Sequence, residues 1–226
     1  MKKIYAIVAM SAMIFSGVAN AVNIDGIDYN LNSADNTATV TGCDDGITEL
    51  NIPGTVTDDG VVYTVKEIGG LAFQMAEQLT KVTIGEGVET IGGNAFYWCD
   101  SIKELTLPST LTSIGRMAFY WCDVLEKVTC YAVNPPAAGS DAFEFDTVTT
   151  VPIYVPEDSV DAYKAADEWS DFKNYQVIIS DGISKVLDTT ESAVVRYYNM
   201  NGVEISTPEN GIFIKVEGNK ASKILK

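Results

Sequence analysis

The chain has 226 residues, with 31 acidic and 15 basic side chains and no histidine. Its formal net charge of −16 at pH 7 disfavours nucleic acid as a partner, because an acidic surface repels phosphate backbones. The lack of histidine removes the commonest general base and the commonest metal ligand, which disfavours many classes of enzyme.

Residues 1–21 have the parts of a secretory signal peptide. Lys2 and Lys3 precede an apolar run from Ile4 to Val18, and the small-x-small site Ala19-Asn20-Ala21 follows it. The apolar run is short for a bilayer span, and no later stretch of the sequence is long enough to cross a membrane. We therefore predict cleavage after Ala21 and export of a mature chain that has no membrane span.

Charge divides the mature chain in two. Residues 22–180 hold 25 acidic and 7 basic side chains, whereas residues 181–226 hold six of each. The turn residues Ser180-Asp181-Gly182 lie at the step. This pattern predicts a domain boundary near residue 180.

The segments 24–31 and 37–40 alternate apolar and polar side chains on either side of the turn-rich residues 32–36. Alternation around a turn predicts a β-hairpin.

An internal repeat follows the predicted hairpin. Residues 91–100 and 114–123 differ at two positions and lie 23 residues apart, and an older copy begins at Ile68, 23 residues earlier. A period of this length predicts a solenoid whose coils each contribute a short strand, and the preceding hairpin is then its N-terminal cap. Residues 57–65, which lengthen the first coil, predict an inserted hairpin. The glycine after each isoleucine is interpreted as a tight corner.

The repeated pattern Leu-x-x-Val-x-Ile-(Pro)-x-x-Val-x-x-Ile-Gly-x-x-Ala-Phe-x-x-Cys-x-x-Leu resembles the BspA-like leucine-rich repeat family of bacterial surface proteins. The resemblance covers residues 24–178, and Ala76 departs from it by standing where the repeat usually has cysteine. It implies a β-rich, right-handed solenoid of 23-residue coils with short parallel strands. It also implies a surface or adhesive role rather than an enzymatic reaction.

The solenoid is predicted to end in a helical cap. Residues 134–140 have the composition of a loop, and Asp158 and Ser159 are good helix starters. The spacing of the apolar residues predicts a short helix with one buried face, made of Val160, Tyr163, Ala166 and Trp169.

Residues 181–226 read as short strands with Asn-Gly turns, which predicts a small antiparallel, β-sandwich-like module. Residues 198–202 and 211–214 resemble the C-terminal sorting domains of the type IX secretion pathway, although Val203 stands where that family often has Arg or Lys. The alternative is a retained module without a sorting function, which would leave the protein periplasmic.

Four cysteines, Cys43, Cys99, Cys122 and Cys130, are the residues most suited to chemistry. An even count in an exported chain suggests disulfides, but the repeat places Cys99 and Cys122 in one inward position, which favours buried free thiols. No C-x-x-C spacing predicts zinc, and no acidic run matches a calcium loop. We predict no catalytic residue, no metal and no cofactor.

Two sets of residues are candidates for binding. The first, the charged ladder, lies at outward strand positions and comprises Lys81, Glu104 and Lys127 with Thr83, Thr106 and Thr129. The second, the aromatic corner, comprises Tyr97, Trp98, Tyr120 and Trp121. Either set could serve only the stacking of the coils, or the tryptophans could present flat faces one coil apart to a ligand.

The sequence therefore predicts an exported, noncatalytic protein that binds host or matrix macromolecules, either extracellular protein or glycan. A secreted glycan-binding module or carbohydrate-active enzyme is one alternative, and a structural envelope component is another. The oligomeric state stays open.

Overall fold

The computed structural model describes residues 20–143 and 148–178, together with the backbone of four strands beyond residue 194. The predicted signal peptide up to residue 19 and the predicted Asn-Gly turns of the C-terminal module lie outside the described residues. No helix in the described part of the chain is long and apolar enough to cross a membrane.

The repeat folds as a β-solenoid of about six turns, because each coil adds one strand to a parallel sheet. The order of this six-stranded sheet is β14-β13-β11-β9-β7-β4. Its strands are β4 (Glu49–Ile52), β7 (Lys81–Ile84), β9 (Glu104–Leu107), β11 (Lys127–Cys130), β13 (Pro152–Pro156) and β14 (Asn174–Ile178).

The register between coils follows the 23-residue period. Val82 pairs with Leu105, which pairs with Val128, and all three side chains are buried. Equivalent apolar side chains thus stack on one another along the solenoid. A single coil cannot bury these side chains by itself, so each coil depends on its neighbours.

A second sheet has the order β1-β2-β3-β6-β8-β10-β12. Its strands are β1 (Asn20–Ile24), β2 (Ile27–Asn32), β3 (Thr37–Cys43), β6 (Val61–Ile68), β8 (Thr90–Ile91), β10 (Ser113–Ile114) and β12 (Ala137–Ala138). The predicted loop 134–140 therefore contains a short strand, because its backbone continues the parallel pairing onto β10.

Both hairpins predicted in the first part of the chain are present as paired strands. β2 and β3 pair antiparallel, and β3 joins the second sheet through β6. The inserted segment forms β5 (Thr55–Asp58), which pairs antiparallel with β6. β1 includes Asn20 and Ala21, so cleavage after Ala21 would leave only Val22–Ile24 of that strand.

The repeated glycine has a different cause from the one that the sequence suggested. A Cβ atom added at Gly92 would lie 2.4 Å from the backbone nitrogen of Gly70, and one added at Gly115 would lie 2.3 Å from that of Gly93. Neither glycine has a positive φ. The interpretation as a strained corner was therefore wrong: glycine is needed because the backbones of successive coils touch at this point.

At the C-terminal end of the solenoid a helix, α1 (Val160–Ala165), connects β13 to a 3₁₀ turn, Trp169–Asp171. Tyr163 and Trp169 are buried, whereas Val160 and Ala166 are partly buried against the core. The prediction that Trp169 shares the helix was wrong, because Ala166 is already extended and Glu168 has a φ of 65°. The indole of Trp169 still reaches the core, and its N–H donates to the carbonyl of Pro136 at 2.7 Å.

Beyond residue 194 the described strands form a four-stranded antiparallel sheet in the order β16-β15-β17-β18. They are β15 (Val195–Tyr198), β16 (Glu204–Ile205), β17 (Ile212–Glu217) and β18 (Lys220–Leu225). The sandwich-like form of this module, its sorting role and the boundary near residue 180 stay predictions.

Candidate functional site

The aromatic corner is built on an unusual backbone conformation. Trp98 and Trp121 both have a φ of 60°, and Met75, which occupies the same position one coil earlier, has a φ of 61°. The backbone N–H of Met75 donates to the carbonyl of Tyr97, and that of Trp98 donates to the carbonyl of Tyr120, both at 2.9 Å. The left-handed conformation is thus part of the bonding between coils, and it turns these three side chains outward.

Beneath the corner, the core is filled by a stack of phenylalanines. The ring centroids of Phe73 and Phe96 are 4.9 Å apart, those of Phe96 and Phe119 are 5.1 Å apart, and those of Phe119 and Phe143 are 5.4 Å apart. All four side chains are buried. The core at this level is therefore complete without the tryptophans.

The tryptophans remain open to solvent. Trp98 is 42% exposed and Trp121 is 37% exposed. Their ring centroids are 4.8 Å apart, but the two planes are inclined by 74°. The alternative in which the tryptophans present flat faces one coil apart therefore does not take the form of two parallel faces, because the rings pack edge to face. The rings of Tyr97 and Tyr120, 6.3 Å apart and inclined by 9°, do lie nearly parallel.

The thiols below the corner are free and buried, as the repeat pattern predicted for Cys99 and Cys122. The Cys99 thiol donates to the carbonyl of Phe73 at 3.0 Å. Burial raises the pKa of Cys99 to about 12 and that of Cys122 well above its usual range. Both sulfurs are neutral at physiological pH, so they lack the thiolate that a nucleophile needs.

Only part of the charged ladder forms ion pairs between neighbouring strands. The Lys81 ammonium lies 3.4 Å from the Glu104 carboxylate, but the Lys127 ammonium lies 4.8 Å above the ring of Tyr154. Thr129, predicted to point outward with Thr83 and Thr106, is 8% exposed and therefore buried.

Thr129 is covered because its partner in the next strand is Tyr154, whose ring is much larger than the threonine of a regular coil. Thr83 and Thr106, which pair with each other, stay half-buried on the regular part of the sheet. Comparable ion pairs join Lys66 to Glu89 and, at 3.0 Å, Lys103 to Glu126. Each pair joins residues one coil apart, which favours a role in coil stacking over ligand binding, although such exposed pairs contribute only about 0–1 kcal/mol.

The sequence reasoning missed the apolar neighbours of the corner. Leu71, Met75 and Val124 are exposed by 57%, 54% and 42%. Met75 lies 23 residues before Trp98, so the repeat itself carried the signal that would have found it. Met75, Trp98 and Trp121 therefore form one exposed column along three coils.

A family model for the BspA type leucine-rich repeat region matches residues 47–163, in six copies. This match covers more than half of the 226 residues. The chain belongs to the BspA-type leucine-rich repeat family. The matched residues contain five of the six strands of the parallel sheet, and β14 (Asn174–Ile178) lies beyond them.

Solved structures include proteins similar to this BspA-type chain. A leucine rich cell surface protein from Faecalibacterium prausnitzii is 28% identical, with a TM-score of 0.51 over 73% of this chain and 44% of that one. A leucine-rich repeat protein from Bacteroides ovatus is 25% identical, with a TM-score of 0.49 over 71% of this chain and 41% of that one. The chain thus covers less than half the length of either protein. No curated protein matches it.

Proposed function

We propose that this BspA-type protein is exported and binds macromolecules outside the cell, without catalysis, through its aromatic corner. The observation that carries the proposal is the exposure of Trp98 and Trp121 over a core that the phenylalanine stack already fills. Tryptophan and tyrosine are enriched at binding hot spots because they combine a large apolar area with a polar group.

Other observations support this assignment over an enzymatic one. The chain has no histidine, and burial raises the pKa of the Cys99, Cys122 and Cys130 thiols. The similar protein from Faecalibacterium prausnitzii is described as a cell surface protein, which agrees with export. We propose further that the macromolecules it binds belong to the host or to the extracellular matrix, which would make its role adhesive.

Export predicts a mature protein that begins at Val22. The intact mass of the exported pool from the native host should equal that of residues 22–226, or of a form shortened further at its C-terminus. Recovery of exported chains that retain residues 1–21 would contradict the signal-peptide assignment.

Binding through the corner predicts that Trp98→Ala with Trp121→Ala removes capture of the mature protein by its targets. On arrays of immobilised matrix proteins and glycans, we expect capture to fall by about tenfold or more, as for loss of hot-spot aromatics. The free energy of unfolding should fall by about 1.5–4.5 kcal/mol in total, because the double change removes the ring pairs of Trp121 with Tyr97, Trp98 and Tyr120, each worth about 0.5–1.5 kcal/mol. Two buried aromatic truncations would instead cost about 3–5 kcal/mol each.

The matched control is Tyr131→Ala with Val133→Ala, which removes apolar surface that is 45% and 64% exposed elsewhere on the solenoid. This variant should be captured like the unaltered protein. Equal capture of all three proteins would rule out the corner as the binding surface, and a large loss of stability in the tryptophan variant would assign those rings to the core.

A further inference from the structure

The aromatic corner carries its own carboxylates. Asp100 and Asp123 each stand two residues after a tryptophan, and Glu77 stands two residues after Met75 in the same column. Glu77 and Asp123 are exposed, and Asp100 is half-buried. Burial raises the pKa of the Cys122 thiol, and the negative charges of Asp100 and Asp123 raise it further. Each exposed indole is therefore followed, two residues along the chain, by a carboxylate in the same turn of its coil.

Few cations on the solenoid are available to neutralise these carboxylates. Residues 22–180 contain seven basic side chains, and six of them already have a partner on the solenoid. The partners are Glu89 for Lys66, Glu104 for Lys81, Glu126 for Lys103, the Tyr154 ring for Lys127, the Tyr175 ring for Lys164 and the Ser170 carbonyl for Lys173. The same segment has 25 acidic side chains, so its surface complements a positively charged partner.

The angles between the rings favour a cation over a sugar. Trp121 is inclined by 74° to Trp98, by 46° to Tyr97 and by 47° to Tyr120. A chain of flat sugar rings needs successive exposed faces that are nearly parallel, and the exposed tryptophans do not offer them. The rings of Tyr97 and Tyr120 are nearly parallel, but these side chains are half-buried. An ammonium or guanidinium group needs only one ring face, and inclined faces allow several cations to approach from different directions.

We infer that the aromatic corner binds the lysine or arginine side chains of a basic protein segment. The cations lie against the faces of Trp98 and Trp121, and Asp100 and Asp123 supply the opposite charge. This inference rests on the proposed function, because it names the chemistry of the partner that the same surface takes.

The test uses two short synthetic peptides, one alternating lysine with serine and the other identical but with every lysine acetylated. Titration calorimetry on the mature protein should show binding of the lysine peptide. The acetylated copy should bind at least about tenfold more weakly, because acetylation removes the cation. Raising the salt concentration should weaken the first interaction, since exposed charges are screened over about 10 Å at 0.1 M.

Two charge-matched variants locate the site. Asp100→Asn with Asp123→Asn should lower the affinity for the lysine peptide about fivefold or more, as expected for loss of charges that contact the ligand. Asp58→Asn with Asp59→Asn removes the same charge at the turn between β5 and β6, where asparagine tolerates the φ of 46° at position 59. This control should bind within about twofold of the unaltered protein, because its charges lie outside the aromatic corner and salt screens them.

Several results would overturn the inference. Equal affinity for the two peptides would exclude recognition of the cation. Equal losses of affinity in the two asparagine variants would show that binding depends on the overall charge of the protein and not on Asp100 and Asp123. If a glycan is captured through Trp98 and Trp121 while the lysine peptide is not bound, the inference is wrong and the proposed function stands. If the variant without the two tryptophans is still captured by every target that captures the unaltered protein, the proposed function is wrong as well.

Discussion

Gly115→Ala is expected to lower the free energy of unfolding by about 3 kcal/mol or more, which corresponds to a fall in melting temperature of about 6–12 °C. The added methyl group would lie 2.3 Å from the backbone nitrogen of Gly93 and 2.6 Å from the carbonyl carbon of Gly92. These are backbone atoms of the preceding coil, so no side-chain rotation can relieve the clash. The coils must separate, and separation breaks the bond from the N–H of Gly115 to the carbonyl of Ile91.

Gly46→Ala is the matched control for this prediction. Gly46 has no positive φ, and a Cβ atom placed there meets nothing within 4 Å. Its replacement should change the stability by less than about 0.5 kcal/mol. Thermal unfolding followed by circular dichroism measures both variants, and equal melting temperatures would show that the coils are not held as closely as the structure places them.

Trp169→Ala is expected to be at least as damaging, with a loss of about 3–5 kcal/mol. Trp169 is fully buried, with its ring 5.2 Å from that of Phe143 and 5.1 Å from that of Tyr163. Truncation leaves a cavity at the end of the solenoid and removes the indole donor from the carbonyl of Pro136. Trp169→Phe keeps most of the ring and should lose less, about 1–3 kcal/mol, mainly through the unpaired carbonyl.

Trp98→Ala is the control for Trp169→Ala, because it makes the same chemical change at a residue that is 42% exposed. It should cost about 1 kcal/mol, the contribution of an exposed aromatic pair. Chemical denaturation of both variants gives the comparison. Similar losses at the two positions would mean that Trp169 and its neighbours do not close the end of the stack.

The candidate site was predicted in its residues but not in its shape. The recurrence of Tyr-Trp-Cys-Asp placed Trp98 and Trp121 in one column, and the structure keeps them there. Their mutual angle depends on how two indoles and two phenols fill the space outside the coil, and the backbone pattern does not specify this. The exposure of Met75 was readable from the period, but that of Val124 was not.

The repeat pattern in the sequence was enough to predict the 23-residue coil, its short parallel strands and the inward position of Cys99 and Cys122. It could do so because repeated units place equivalent residues against one another, so a local pattern also specifies the long-range contact. Three features became visible only in the folded protein: the burial of Thr129, the separate turn that carries Trp169 and the need for glycine at position 115. Each of these depends on a neighbour that the repeat does not define: the Tyr154 ring, the Glu168 backbone, and the distance at which one coil meets the next.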